Sequence, residues 1–223
     1  MTVPMLHVEG LSRRFGAVAA VDGVRLTLRS GDRHAVVGAN GAGKTTLLHL
    51  LAGSLRPTAG RVLWRGRDVT RRGPVHRARS GITRSFQTPT VVPSLSTVDN
   101  LMLGGWPRRG RSSGRALELA RSLGLADRAQ TVAAALSHGQ RRLLDIGMAL
   151  AGEPDLLLLD EPAAGLDDDD LDRLVTLLDA LPATMAVLLV EHHVELVELV
   201  AGTVSVLDQG RLVSTVEVAR APR

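Results

Sequence analysis

The sequence predicts an α/β fold with a mainly parallel sheet core, and three observations predict it. Short apolar strands alternate with helical segments along most of the chain, a pattern that buries a parallel sheet between helices. A glycine-rich turn, 38–45, sits between an apolar strand and a helix. The 223 residues are 44% hydrophobic, enough for a substantial core. Unbroken apolar runs such as 156–159 and 186–190 are only four or five residues. A membrane-crossing helix needs about 20. The N-terminal segment lacks the basic and apolar regions of a secretory signal. There is no cysteine, which excludes disulfides, thiolate metal sites and a cysteine nucleophile.

The elements follow in order. Residues 6–11 and 24–28 alternate apolar and polar and read as strands. Residues 34–37 form a short buried strand running into the glycine-rich turn, and a helix over 44–51 ends at Gly53. Residues 62–64, before the turn Arg65-Gly66-Arg67-Asp68, read as half a hairpin. A short helix spans 74–79. Helical spacing runs from 97 to about 123, broken by Pro107, Gly110 and Gly114. A helix at 140–150, a strand at 156–159, a helix at 171–181, a strand at 186–190 and a helix at 193–200 come next. A last strand pair lies near 204–207 and 212–214. The helical middle, about 88–151, reads as an inserted subdomain of a single domain covering 1–223.

The net charge is +4, from 27 basic and 23 acidic residues, and Lys44 is the sole lysine. The arginines are scattered, with short clusters at 65–72 and 108–115, and read as solvated surface. Lysine stands at the one place where a slim point charge serves and a planar guanidinium fork would not. That place is Gly38-Ala39-Asn40-Gly41-Ala42-Gly43-Lys44-Thr45, which matches G-x-x-x-x-G-K-[ST]. Glycines let backbone N–H groups turn inward around phosphates, and the helix N-terminus adds favourable partial charge. Lys44 is expected on the β- and γ-phosphates, with the Thr45 hydroxyl on Mg²⁺.

A second signal is Leu156-Leu157-Leu158-Leu159-Asp160-Glu161, a buried strand delivering two carboxylates to its C-terminal end. Asp160 is the candidate Mg²⁺ ligand, directly or through water, and Glu161 the group that polarises an attacking water. A third is Leu136-Ser137-His138-Gly139-Gln140, opening a helix. These residues resemble the LSGGQ signature of ATP-binding-cassette (ABC) ATPases, with His138 where that pattern has its first glycine. The ordered spacing also matches. Gln87 follows Lys44 by 43 residues, Ser137 follows by 50 more, Asp160 by 23 more, and His192 lies 31 after Glu161.

The resemblance covers nearly the whole chain. It implies a P-loop NTPase core with an antiparallel β subdomain and a helical insertion, using ATP and Mg²⁺. It implies a catalytic set of Glu161, His192 (the switch histidine) and Gln87, the Q-loop glutamine that also contacts Mg²⁺. ATP contacts would come from Phe15 stacking on adenine, from Gly38, Asn40, Gly41, Ala42, Gly43, Lys44, Thr45 and Thr46, and from Ser137, Gly139 and Gln140 reaching across a dimer interface. Ala164-Gly165-Leu166-Asp167 resembles the D-loop. His193 stands where relatives often carry aspartate.

The resemblance further implies a second cassette, identical or not, and transmembrane permease subunits. It places the chain on the cytoplasmic face of the membrane, served indirectly by an extracellular or periplasmic solute-binding protein. The strings Phe86-Gln87-Thr88-Pro89 and 136–140 look closest to urea-importer ATPases, and Ala163-Ala164-Gly165-Leu166 closer to the branched-chain amino-acid branch. The expectation is therefore an importer of the branched-chain amino-acid, amide or urea class, with no nucleic-acid partner. The alternatives are a soluble ABC ATPase acting on nucleic acid or ribosomes, and a catalytically silent cassette paired with an active one.

Overall fold

The computed structural model describes residues 4–109 and 112–219. Among the described residues ten strands form two sheets. The first is antiparallel, in the order β2 (Val18–Leu28), β1 (Leu6–Phe15), β4 (Ala59–Trp64), β5 (Arg67–Asp68). The second runs β10 (Arg211–Glu217), β9 (Thr203–Asp208), β3 (Arg33–Val37), β8 (Ala186–Val190), β7 (Leu156–Asp160), β6 (Ile82–Arg84). All of its pairings are parallel except that of β10 with β9.

The near-continuous apolar runs of β7 and β8 follow from burial on both faces. Successive side chains point to opposite faces, so each strand feeds two cores. Leu156, Leu158, Ala186 and Leu188 join helix α1 (Lys44–Ala52) and the antiparallel sheet in one cluster. Leu157, Leu159, Val187 and Leu189 join the other. There they meet α3 (Thr97–Arg109), α4 (Ser113–Ser122), α5 (His138–Leu150), α6 (Asp168–Asp179) and α7 (Val194–Val200). Helix α2 (Pro74–Ser80) lies between β5 and β6.

The differences from the sequence-based expectation have local causes. β1 and β2 are longer than their cleanly alternating parts because register shifts interrupt the period between Val8 and Arg14. β5 and β6 are two and three residues long, too short to show a period. The stretch from 97 splits into α3 and α4, but Pro107 does not end α3 and Gly114 lies inside α4. Gly110 lies outside the described residues.

β3 carries a buried polar relay. His34 Nε2 meets Ser205 Oγ at 2.8 Å, and Ser205 Oγ meets Thr215 Oγ1 at 2.6 Å. Burial pushes the imidazole from its usual 6.5 down to about 4, against a weaker opposing pull from Asp32. A depressed folded-state value means that the unfolded chain takes up the proton first. The associated stability is therefore full above about pH 6.5 and is lost as pH falls from there to about 4. The expected loss is roughly 3 kcal/mol across that window. Urea unfolding at stepped pH checks this, and His34→Gln should flatten the slope. An unchanged slope in the variant would rule out His34 as the source.

Candidate functional site

Because the strands are parallel, their C-terminal ends share one edge, where α/β sheets hold ligands. Four sequence signals follow four strands to that edge: the glycine-rich loop after β3, Ser85–Gln87 after β6, Asp160-Glu161 at the end of β7, and Glu191-His192 after β8. Topology thus gathers residues as far apart as 38 and 192.

The loop is built from backbone. Gly43 caps α1 in the left-handed region at φ 105°, and a Cβ there would overlap the Ala20 carbonyl. No side chain caps α1, so its first N–H groups are left for an anion. Lys44 is 5% exposed, and its Nζ donates to the carbonyls of Gly38 at 2.7 Å and Ala39 at 3.1 Å. A cleft of about 320 Å³ is lined by Ala20, Asn40, Gly41, Gly43, Lys44, Thr45, Thr46, Gln87 and Glu161.

Thr45 Oγ1 donates to Asp160 Oδ1 at 3.2 Å, bringing two hard oxygen donors together at the end of the loop. That pair fits Mg²⁺, which binds through one or two protein oxygens plus phosphates and water. Among the described residues no cluster of three or more His, Asp or Glu forms a cation cage. Such binding does not require one. Asp160 is fully buried, and burial raises its carboxyl above the ordinary range. Arg84, whose Nη2 lies 3.2 Å from Asp160 Oδ2, pulls the other way, as does Thr45.

Gln87 Nε2 donates to Glu161 Oε2 at 3.1 Å. His192 Nδ1 lies 3.8 Å from Glu161 Oε1 and is mostly exposed. Gln87, Glu161 and His192 therefore form one group at the edge of the cleft.

Other expected residues are not brought to it. Ser137 and Gln140 are absent from the cleft lining and cap α5 reciprocally: Gln140 N donates to Ser137 Oγ at 3.1 Å, and Ser137 N to Gln140 Oε1 at 3.0 Å. Gly139 abuts α6, where a Cβ would overlap the Asp170 carboxylate. Phe15 sits at the end of β1, 48% exposed, with the Arg13 guanidinium 4.6 Å from its ring centroid. It does not line the cleft.

Four buried or nearly buried charged residues at this edge escaped the sequence reading: Arg84, Arg142, Asp145 and Glu191. Glu191 Oε1 accepts from Ala163 N at 2.9 Å. Its Oε2 accepts from His192 N at 2.7 Å and His193 N at 2.9 Å, tying the turn after β7 to the turn after β8. The one available signal was a charge inside an apolar stretch, as at Leu143-Leu144-Asp145-Ile146.

A phosphate loop facing carboxylates, a glutamine and a histidine across the C-terminal edge of a parallel sheet defines an ATPase of the P-loop class. The ABC transporter family matches over residues 21–164, and the chain belongs to that family as one of its ATP-binding domains. It is 35% identical over 220 residues to "Ribose import ATP-binding protein RbsA 1" of Rubrobacter xylanophilus, covering 96% of this chain and 44% of that protein. It thus spans under half the length of the ribose-import relatives it matches. It is 35% identical over 231 residues to "High-affinity branched-chain amino acid transport ATP-binding protein BraF" of Pseudomonas aeruginosa, covering 94% and 90%. Among solved structures it resembles the ADP conformation of MJ1267, an ATP-binding cassette of an ABC transporter. That likeness has a TM-score of 0.86, 27% identity, and coverage of 97% and 92%.

Proposed function

We propose that this chain is the ATP-binding subunit of an importer, hydrolysing Mg-ATP to drive a solute through partner permeases. The observation that carries the reading is the Gln87–Glu161–His192 group beside the phosphate loop. In this reading Glu161 accepts a proton from the attacking water, Gln87 orients that water, and His192 contacts the γ-phosphate. Lys44 and the α1 N-terminus neutralise the phosphates, while Thr45 and Asp160 would hold Mg²⁺, which supplies charge neutralisation when bound. Catalysis is then mostly positioning and charge stabilisation.

Ser137, Gly139 and Gln140 contribute from a second cassette. Phe15 stacks on adenine. The chain acts as one domain over 1–223, with 88–151 as the helical subdomain that docks on the permease. Among the described residues no helix is long and apolar enough to cross a membrane. Association with the cytoplasmic face comes through the permease. The solute belongs to the branched-chain amino-acid, amide or urea class. The strings at 86–89, 136–140 and 163–166 support this, as does the match to nearly the full length of a branched-chain amino-acid relative. Ribose and methionine import relatives of similar identity are the competing solute classes.

The test is a pull-down from native membranes of Glu161→Gln trapped with Mg-ATP, with co-purifying proteins identified by mass spectrometry. Permease subunits are expected, and their solute-binding partner identifies the solute. Recovery of ribosomes, RNA or DNA in their place would overturn the importer reading.

A further inference from the structure

Glu161 is one of four non-glycine residues with positive φ among the described residues, at 46°. A side chain there is strained, so the surroundings must hold it. Its N–H donates to the Val190 carbonyl at 2.9 Å. Its own carbonyl accepts from Arg142 Nη2 at 2.7 Å. The same nitrogen reaches the Asp160 carbonyl, and Nη1 reaches the carbonyls of Phe86 and, at 3.1 Å, Gln87.

Arg142 is fully buried on α5, so water does not compete for these contacts. One helical turn on, Asp145 takes the opposite sense of hydrogen bond. It accepts from Phe86 N at 3.0 Å, and from Thr90 N and Thr90 Oγ1 at 2.8 Å each. Two charged side chains on one helix therefore fix both the segment 86–90 and the end of β7. Between those two backbones stands the Gln87–Glu161 hydrogen bond. The helix that holds them is the one that Ser137 caps.

We propose that Arg142, assisted by Asp145, is the positioning residue that holds Glu161 in its left-handed backbone conformation and in register with Gln87. The orientation of α5 is thereby coupled to the carboxylate. Reorienting α5, which carries the signature at its N-terminus, would carry both 86–90 and Glu161 with it. A lysine at 142 keeps the charge but offers a point donor, where guanidinium reaches five carbonyls, the fifth being that of Pro162 from Nε at 3.4 Å. The inference rests on Glu161 acting as the base of ATP hydrolysis.

The experiment measures kcat and KM for ATP, nucleotide Kd by titration with a fluorescent ATP analogue, and thermal unfolding. The variants are Arg142→Lys, Arg142→Met and Asp145→Asn, alongside wild type and Glu161→Gln. The expected result is a 10- to 100-fold fall in kcat for Arg142→Met and a several-fold fall for Asp145→Asn, with Kd within about twofold. Arg142→Lys should fall between wild type and Arg142→Met. Should Arg142→Met fail to fold, the lysine and asparagine variants decide. Unchanged kcat in those two, or kcat and Kd worsening together with the unfolding temperature, overturns the proposal. Full activity in Glu161→Gln would instead overturn the reading beneath it.

Discussion

Glu161→Gln is expected to lower the ATPase rate by about 10²- to 10⁴-fold while nucleotide binding persists. The substitution keeps shape and volume but removes the negative charge, and with it the capacity to take a proton. Glu161 lies largely enclosed beside Gln87 and His192. Glu191 also comes within 3.8 Å of His192 Nδ1, but both its oxygens are engaged by the N–H groups of Ala163, His192 and His193. Asp160 cannot substitute, because its two oxygens are engaged by Thr45 and Arg84. In the proposed site the phosphates are met by Lys44 and the loop backbone, which the change leaves alone. The expected signature is a fallen kcat at nearly constant Kd, read by steady-state hydrolysis and nucleotide titration. A loss below about tenfold would assign the proton transfer elsewhere.

Arg77→Met is expected to destabilise the fold by about 3–5 kcal/mol, read as the shift in urea unfolding free energy. Arg77 is fully buried on α2 and reaches back to the far end of the phosphate-loop helix. Its guanidinium donates to the carbonyls of Leu50 at 2.8 Å and Leu51, the last turn of α1. It also donates to those of Val69 at 2.8 Å, Thr70 at 3.3 Å and Arg72 at 3.2 Å. A helix leaves its last carbonyls without partners, and a cation there also faces the negative end of the helix dipole. Burial lowers the Arg77 pKa to about 10, which leaves it charged at neutral pH. Methionine keeps the stem and strands these acceptors away from water. A lysine should recover only part of the loss, having no fork to span them. Because Arg77 is remote from Glu161 in function, the folded fraction should keep its kcat. A loss under about 1 kcal/mol would mean that the carbonyls find water or each other.

The two effects separate the legible from the hidden. Lys44, Thr45, Asp160 and Glu161 stood out because backbone phosphate binding imposes glycines at fixed spacing, and because a buried strand ending in two carboxylates has few structural excuses. The strands β3, β7 and β8 were legible because burial on both faces makes them uniformly apolar. Arg77, Arg142 and Glu191 left no spacing signature, since each satisfies backbone groups from distant segments. A carbonyl's need for a partner is independent of which side chain carries it. In Arg142 the sequence offered one arginine among many in an arginine-rich chain.

The sequence alone determined the order of the longer elements, the family resemblance and the glycine-rich loop proposed to meet phosphate. Local chemistry decides these: turn glycines, helix starts and apolar runs act within a few residues. Tertiary structure alone decided that Arg84 holds Asp160 and that Glu161 takes a left-handed backbone under Arg142. These depend on which buried donors face which buried acceptors once parallel strands have brought their ends to one edge, and that pairing is a property of the packed chain.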